Sequence, residues 1–179
     1  MRIIGGSLKG RRFQPPKNFK GRPTTDFARE SLFNILHNQY DWDDVQVLDL
    51  FSGTGAMAFE AASRGAQNVI GVELDHRASR MIERNADDLD IPEVAVYGMD
   101  AFDFLNSVGQ GFDIIIADPP FDKRYGEKLL ELIYSKDLLN PGGTFILEHD
   151  NHDNFGQHPH FVKEKKYGHV RFSFFDLPR

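Results

Sequence analysis

The segment VQVLDLFSGTG, residues 45–55, decides the fold of this 179-residue chain. Its first half is an apolar run of the length of a buried strand, and its second half is a glycine-rich turn. Further along the chain, the segment IIIADPPF, residues 114–121, again joins an apolar run to a polar ending. Two buried strands that end in polar turns predict a parallel sheet whose functional groups lie at the carboxyl ends of its strands.

Short apolar stretches alternate with helical patterns around these two segments. Strands are predicted at 45–50, 68–72, 93–97, 112–117 and 143–148, and helices at 27–40, 56–63, 77–89, 101–108 and 128–135. Two further strand-like runs, 160–163 and 169–175, predict an antiparallel hairpin at one edge of the sheet. The alternation predicts an α/β fold in which helices cover both faces of a mainly parallel sheet.

Gly53 and Gly55 stand in the turn that follows the first strand. Glycines at this place allow a tight turn and a close approach of the backbone to a ligand at a helix N-terminus. Glu73 ends the second strand, where its carboxylate can accept hydrogen bonds from both hydroxyls of a ribose. By itself this arrangement suits NAD nearly as well as S-adenosylmethionine.

Two further acids favour S-adenosylmethionine. Asp49 lies within the end of the first strand, where a carboxylate could contact a cationic amino acid group but would repel a pyrophosphate. Asp100 follows the third strand and is placed to accept a hydrogen bond from an adenine amino group. Helix capping or hydrogen bonding within a loop is the structural alternative for both residues.

The sequence Asp118-Pro119-Pro120-Phe121 is the most specific signal in the chain. The prolines hold the backbone extended and remove two N–H donors, so that nearby carbonyl groups can face a ligand. A carboxylate beside a proline carbonyl forms an acceptor pair suited to an exocyclic amino group. By accepting its N–H bonds, the pair would stabilise the positive charge that grows as the nitrogen attacks a methyl group. Phe121 could stack on the base, which would have to be unpaired or flipped.

Basic residues are concentrated at the start of an acidic chain. The net charge is -6, yet residues 1–30 hold eight Lys or Arg against two acids, and the remainder holds 13 against 25. Residues 1–23 are rich in Gly and Pro, and the turn Gly5-Gly6-Ser7 predicts a short β-hairpin. We therefore expect a basic N-terminal arm at 1–23 and one further domain at 24–179. Such an arm fits a polyanion such as RNA, and it equally fits a solvated tail.

The composition argues against several other classes of protein. No apolar stretch has the length of a membrane span, and the N-terminus lacks the apolar core of a secretory signal. The absence of cysteine excludes disulfides and thiolate metal sites, so we expect a cytoplasmic protein without membrane contact. His149, His152, His158 and His160 are close in sequence, but their irregular spacing predicts a polar loop and no metal.

These motifs together resemble a known family. The segments VLDLFSGTGAMAFEAASRGA, GVELD, DAFDFL and DPPF are similar to motifs of class I amino-methyltransferases that use S-adenosylmethionine. The segments MRIIGGSLKGRRF, RPTTDFARESLFNIL and KEKKYGHVRFSFF resemble the RsmD family, which methylates the N2 amino group of a guanine in 16S ribosomal RNA. The resemblance covers nearly the whole chain.

The resemblance implies a Rossmann-like, seven-stranded mixed sheet in the order 3-2-1-4-5-7-6, with S-adenosylmethionine as cofactor and S-adenosylhomocysteine as product. The amino-group clamp would be formed by Asp118, Pro119, Pro120 and Phe121. Cofactor contacts would come from Thr25, Asp49, Phe51, Ser52, Gly53, Thr54, Gly55, Glu73, Leu74, Asp100 and Ala101. RNA contacts would come from Lys9, Arg11, Arg12, Lys20 and Arg22. The expected partner is 16S rRNA within a small ribosomal subunit or an assembly intermediate, and the expected protein is a monomer.

Three alternatives compete with this interpretation. Another amino-methyltransferase, acting on adenine N6 or a glutamine amide, would more often carry Asn in place of Asp118. An NAD-dependent oxidoreductase would need an acid–base residue such as that of a Tyr-x-x-x-Lys motif, which is absent around Tyr134. A non-catalytic, RNA-binding ribosome-assembly factor would not require Glu73 or the intact Asp-Pro-Pro-Phe sequence.

Overall fold

The computed structural model describes residues 1–178 as one seven-stranded sheet. The strands are β1 Gln46–Leu50, β2 Asn68–Val72, β3 Val94–Tyr97, β4 Phe112–Ala117, β5 Leu139–His149, β6 Phe161–Tyr167 and β7 Val170–Asp176. Their order is β3-β2-β1-β4-β5-β7-β6. Neighbouring strands among the first five pair in parallel, and β7 pairs antiparallel to both β5 and β6. The predicted fold class and strand order are confirmed.

Helices cover both faces of this sheet because successive strand residues point in opposite directions. The helices are α1 Asp26–His37, α2 Ala56–Ser63, α3 His76–Leu89, α4 Ala101–Ser107 and α5 Gly126–Ser135. Val47 and Ile114 belong to a buried cluster with α1 and α2, and Leu48 and Ile115 belong to one with α4 and α5. Helix α3 packs beside α2 on the first of these faces. No helix within residues 1–178 has the length and apolar character of a membrane span.

Strand β5 begins earlier than the sequence predicts. Its first residue, Leu139, pairs with Phe112, and the register then shifts so that Thr144 pairs with Ile114. Pro141 lacks a backbone N–H, and Gly142 has a φ of 80°, so the residues between the two pairs bulge out of the ladder. Pro141 and Gly142, which precede the strand predicted at 143–148, are therefore an irregularity within a longer strand.

The N-terminal hairpin is packed against the helices. Arg2 and Arg12 form an antiparallel bridge, and Ile3 and Phe13 are buried in one cluster with Phe59 of α2. The fully buried carboxylate of Glu60 accepts hydrogen bonds from the backbone N–H groups of residues 4 and 5, both at 2.8 Å. The hairpin predicted from the Gly-Gly-Ser turn is present, and its apolar residues fix it to the body of the protein.

Candidate functional site

A cavity of about 1070 Å³ lies at the carboxyl ends of the parallel strands. The loops after β1, β2, β3 and β4 line it, and the segment 19–24, which precedes α1, supplies further lining. The strand order reverses between β1 and β4, and open α/β sheets bind ligands at such a reversal. The volume is sufficient to enclose a nucleoside-sized ligand.

The turn after β1 is held in a conformation that places its backbone along the cavity. Phe51 and Gly53 both have positive φ values, 60° and 55°. The N–H of Gly53 donates to Glu73 Oε2 at 2.7 Å, and the other oxygen of Glu73 accepts from the N–H of Asp75 at 2.9 Å. A carboxylate can accept about four hydrogen bonds, so Glu73 can both fix this turn and receive a ribose hydroxyl.

Phe19 covers the glycine turn from the side of the segment 19–24. A Cβ atom added to Gly53 would lie 2.9 Å from the ring carbon Cζ of Phe19, so a larger residue at Gly53 would displace that ring. Gly55 serves a different purpose, because a Cβ there would lie 2.9 Å from Ile82 and 3.0 Å from Phe59. Gly55 therefore allows α2 and α3 to pack closely, and it is not among the residues that line the cavity.

Asp49 is a buried acid that faces the cavity. Only 2 % of its surface is exposed, and its Oδ2 atom has no hydrogen-bond partner among residues 1–178. Burial raises the pKa of Asp49 to about 7, although a hydrogen bond involving Ser52 opposes the shift. A buried carboxylate oxygen without a hydrogen-bond partner is costly, and a cationic group in the cavity would offset that cost.

Asp100 is both a helix cap and a cavity residue. Its Oδ1 accepts from the N–H of Phe102 at 2.8 Å and from that of Asp103 at 3.1 Å, which caps the N-terminus of α4. No residue within 1–178 donates to its Oδ2 through a hydrogen bond of standard geometry. The capping interpretation is thus correct, and it leaves one oxygen for an adenine amino group.

The Asp-Pro-Pro-Phe sequence directly follows β4 beside the glycine turn. The N–H of Asp118 donates to the carbonyl of Leu50 at 3.4 Å, which extends the β1–β4 pairing by one step. Pro120 accepts from the N–H of Lys123 at 3.2 Å, and this bond closes a short turn that begins at Phe121. Burial raises the pKa of Asp118 well above its usual value, and the charges of Glu148 and Asp49 raise it further. All four residues of the sequence line the cavity.

Glu148 is a buried acid that the sequence reasoning missed. It lies near the end of β5, is 2 % exposed, and accepts a hydrogen bond of 2.6 Å from Thr24 Oγ1. Burial raises the pKa of Glu148 to about 7, and the Thr24 hydrogen bond works against that shift. The available sequence signal was an acid at the end of an otherwise apolar strand, the same signal that singled out Asp49.

Most of the predicted site residues line this one cavity. Those that do are Lys20, Arg22, Asp49, Phe51, Ser52, Gly53, Thr54, Glu73, Leu74, Asp100, Ala101, Asp118, Pro119, Pro120 and Phe121. Thr25 does not, because its side chain caps α1 by accepting from the N–H of Ala28, and Thr24 lines the cavity in its place. Lys9, Arg11 and Arg12 lie exposed on the N-terminal hairpin, away from the cavity lining.

The histidines near the end of β5 take separate structural roles. His149 is buried and contacts Ser173 Oγ at 2.8 Å, and the ring of His160 stacks on Tyr134 at a centroid distance of 4.0 Å. Within residues 1–178, no group of three or more acids and histidines is arranged to hold a metal ion.

The strand order and the acidic, glycine-lined cavity define a class I methyltransferase, the class whose cofactor is S-adenosylmethionine. The unpartnered Oδ2 of Asp49 fits a cationic amino group, and Glu73 and Asp100 fit a ribose and an adenine. The model of the family described as Conserved hypothetical protein 95 matches residues 1–176. The chain belongs to this family, the RsmD family, as the sequence resemblance predicts.

Relatives resemble the chain over most of its length. YlbH of Bacillus subtilis is 36% identical over 154 residues, which cover 84% of this chain and 83% of that protein. Ribosomal RNA small subunit methyltransferase D of Escherichia coli K12 is 34% identical over 148 residues, covering 83% and 74%. The solved structure of yhhF from Escherichia coli superposes with a TM-score of 0.88 at 29% identity and covers 99% of this chain and 98% of that one.

Proposed function

We propose that this protein transfers a methyl group from S-adenosylmethionine to the exocyclic N2 amino group of a guanine in 16S ribosomal RNA. The observation that carries the proposal is the placement of Asp118 and the prolines in one cavity with the buried Asp49, whose Oδ2 atom has no hydrogen-bond partner among residues 1–178. The first group suits an amino group, and the second suits the cation of the cofactor. The 34% identity to a ribosomal RNA small subunit methyltransferase supports ribosomal RNA as the substrate.

Recognition of the amino group falls to Asp118 and the carbonyl of Pro119. The two oxygens accept the two N–H bonds of a planar exocyclic amine, whose lone pair is delocalised into its ring. These hydrogen bonds strengthen as positive charge grows on the nitrogen, so they stabilise the transition state more than the bound base. Because Pro120 has no backbone N–H, it cannot donate a competing hydrogen bond to the acceptor pair.

Cofactor binding falls to the loops after β1, β2 and β3. S-adenosylmethionine supplies an electrophilic methyl group on a positively charged sulfur. Asp49 would hold its ammonium group, Glu73 its ribose and Asp100 its adenine, and the Gly53 turn allows the backbone to approach it closely. The ring of Phe19 lies against that turn and would limit the access of water to the bound cofactor.

Substrate binding is assigned to the mouth of the cavity and to the basic N-terminal residues. Three cations at the mouth, Lys20, Arg22 and Lys123, are exposed and can contact phosphates, and the exposed His169 lines the cavity as well. Lys9, Arg11 and Arg12 would extend this contact over the hairpin within the arm 1–23. We further propose that the protein acts as a monomer in the cytoplasm, on a small ribosomal subunit or an assembly intermediate.

A methyl-transfer assay tests the proposed reaction. Tritiated S-adenosylmethionine is incubated with the protein and either naked ribosomal RNA or partly assembled small subunits from cells that lack this protein, and the labelled nucleoside is identified. Label in N2-methylguanosine at one site is expected. Label in N6-methyladenosine would support S-adenosylmethionine as the cofactor but overturn the assignment of guanine as the target. Binding of both RNA and cofactor without any label would favour a non-catalytic assembly factor.

Phe121→Ala is expected to raise the KM for RNA about tenfold, because stacking of a base on an aromatic ring is worth about 1–3 kcal/mol. The affinity for S-adenosylmethionine should change little, because the proposed role of Phe121 concerns the base. Steady-state kinetics with RNA and calorimetry with the cofactor separate the two effects. Phe121→Tyr keeps the ring and serves as the matched control, and an equal loss in both variants would contradict stacking.

The double variant Lys20→Ala with Arg22→Ala is expected to weaken RNA binding about tenfold and to reduce the slope of log K against log[salt] by about 2. Each side chain is exposed at the cavity mouth and releases a counterion when it meets a phosphate. Binding measured at several salt concentrations provides both quantities. Charge reversal at Arg11 and Arg12 tests the hairpin in the same way, and Arg80→Ala with Lys136→Ala controls for the change in net charge.

A further inference from the structure

Three buried or half-buried carboxylates stand side by side at the ends of three adjacent strands. Asp49 of β1 pairs with Ile116 of β4, and Ile116 pairs with Ile146 of β5. Asp118 and Glu148 each lie two residues beyond these isoleucines. Because side chains alternate along a strand, all three acids project from the same face of the sheet.

Within the described residues 1–178, the negative charge of this cluster is not neutralised by an ion pair. None of the three acids forms an ion pair with another side chain of residues 1–178. Strand β7 faces Glu148 with Phe172, and the hydroxyl of Thr24 in the segment 19–24 donates a hydrogen bond to it. Other acids line the same cavity, namely Glu73, Asp75, Asp100, Asp122 and Asp150, and its basic lining residues Lys20, Arg22, Lys123 and His169 are exposed. A small pocket beside Glu148 is lined by the exposed Arg124, the buried His149 and Asp153, none of which forms an ion pair with the three acids.

This arrangement disfavours full ionisation of the cluster near neutral pH. Burial raises the pKa of Asp118 and of Glu148, and the charge of Glu148 is the largest electrostatic influence on the pKa of Asp118. Two carboxylates whose charges influence one another do not titrate independently, and their protonation is a property of the pair. Asp118 is consequently a stronger base than an ordinary aspartate, which suits a group that must accept a proton at neutral pH.

We propose that Glu148 is a positioning residue that makes Asp118 the acceptor of the proton lost by the methylated nitrogen, the two carboxylates acting as one proton-sharing pair. The inference rests on the proposed methylation of an amino group. Once the nitrogen has bonded to carbon, one N–H bond breaks, its electron pair stays on nitrogen, and the proton goes to an oxygen of Asp118. Glu148 does not touch the substrate, and its negative charge, held in place by Thr24, increases the basicity of Asp118.

Glu148→Gln tests the pair because it removes the charge while keeping the volume and an oxygen that can accept from Thr24. The carboxyl carbon of Asp118, followed by carbon-13 NMR in the free protein, is expected to titrate about one pH unit lower in this variant. The acid limb of the kcat profile should move to lower pH by a similar amount. Glu131→Gln, an exposed change of the same charge on α5, should move neither quantity.

Each other result overturns the proposal. An unchanged titration of Asp118 would mean that Glu148 only anchors Thr24, and a loss of kcat at every pH without a shift of the limb would make Glu148 itself the base. If Glu148→Gln does not fold, Asp118→Asn gives the reciprocal test, in which Glu148 should titrate lower in the free protein. The NMR titrations need no substrate, so they still judge the pair if the guanine assignment fails.

Discussion

Asp118→Ala is expected to reduce methyl transfer by about 100- to 1000-fold in kcat, the range typical of removing one electrostatic contact to a transition state. The carboxylate is proposed to accept an N–H bond of the target amine and to meet the positive charge that develops on its nitrogen. Alanine leaves the backbone of the Asp118–Leu50 contact in place, because that hydrogen bond comes from the main-chain N–H. The carbonyl of Pro119 then remains as the single acceptor.

Cofactor binding should be preserved in the same variant. The loops assigned to S-adenosylmethionine follow β1, β2 and β3, whereas Asp118 follows β4, so calorimetry should show an affinity within a few-fold of the unaltered protein. Asp87→Ala, an exposed change on α3, controls for the loss of one acid. A large fall in cofactor affinity would assign Asp118 to the cofactor site, and retained turnover would remove it from the reaction.

Much of the fold was predictable because its strands are short, apolar and bounded by turn residues. The bounds of β2, β4 and α2 agree with the sequence prediction, and those of α3 and α4 differ by one residue at one end. The prediction of β5 was short at its start because Pro141 and Gly142 are typical of turns. Only the pairing of Leu139 with Phe112 shows that the strand begins before them.

The residues of the cavity were predictable where they follow a strand along the chain. Asp49, Glu73, Asp100 and Asp118 all stand at or just after a strand end, and the parallel topology brings these ends together. Thr24 and Phe19 could not be found in this way, because they reach the cavity from a segment that precedes the first strand by many residues. Their contacts with Glu148 and Gly53 are long-range consequences of packing.

A motif does not show whether one of its residues binds a ligand or instead stabilises the local structure. A glycine in the turn after β1 can allow either a close approach of a ligand or close packing of helices. Gly53 lies where a ligand would approach, and Gly55 lies where α2 and α3 pack together. Thr25 likewise follows the cavity residue Thr24 directly, but its hydroxyl caps the N-terminus of α1. The spacing of the residues predicts where the turn lies, but the role of each residue in it depends on the atoms that surround it in the folded protein.

Asp49→Asn is expected to weaken the binding of S-adenosylmethionine by about 2 kcal/mol, roughly 30-fold, at pH 8. The structure leaves the buried Oδ2 of Asp49 without a partner, and the ammonium group of the cofactor would provide one. Asparagine keeps the size of the side chain and removes its charge. Calorimetric titration of both proteins measures the difference, and 5′-methylthioadenosine, which lacks the amino acid group, should bind both equally.

The pH dependence of cofactor affinity provides the second half of this prediction. Burial holds the pKa of Asp49 at about 7 in the free protein, and an ammonium partner would lower it in the complex. Below pH 7 the carboxyl group must therefore release a proton on binding, so the affinity should fall toward tenfold per pH unit as the pH decreases and level off above 7. Asp49→Asn should lose this component of the slope. If Asp49→Asn left the slope of affinity against pH unchanged, the slope would have to come from Asp118 and Glu148. The ammonium group of the cofactor would then have to bind somewhere other than Asp49.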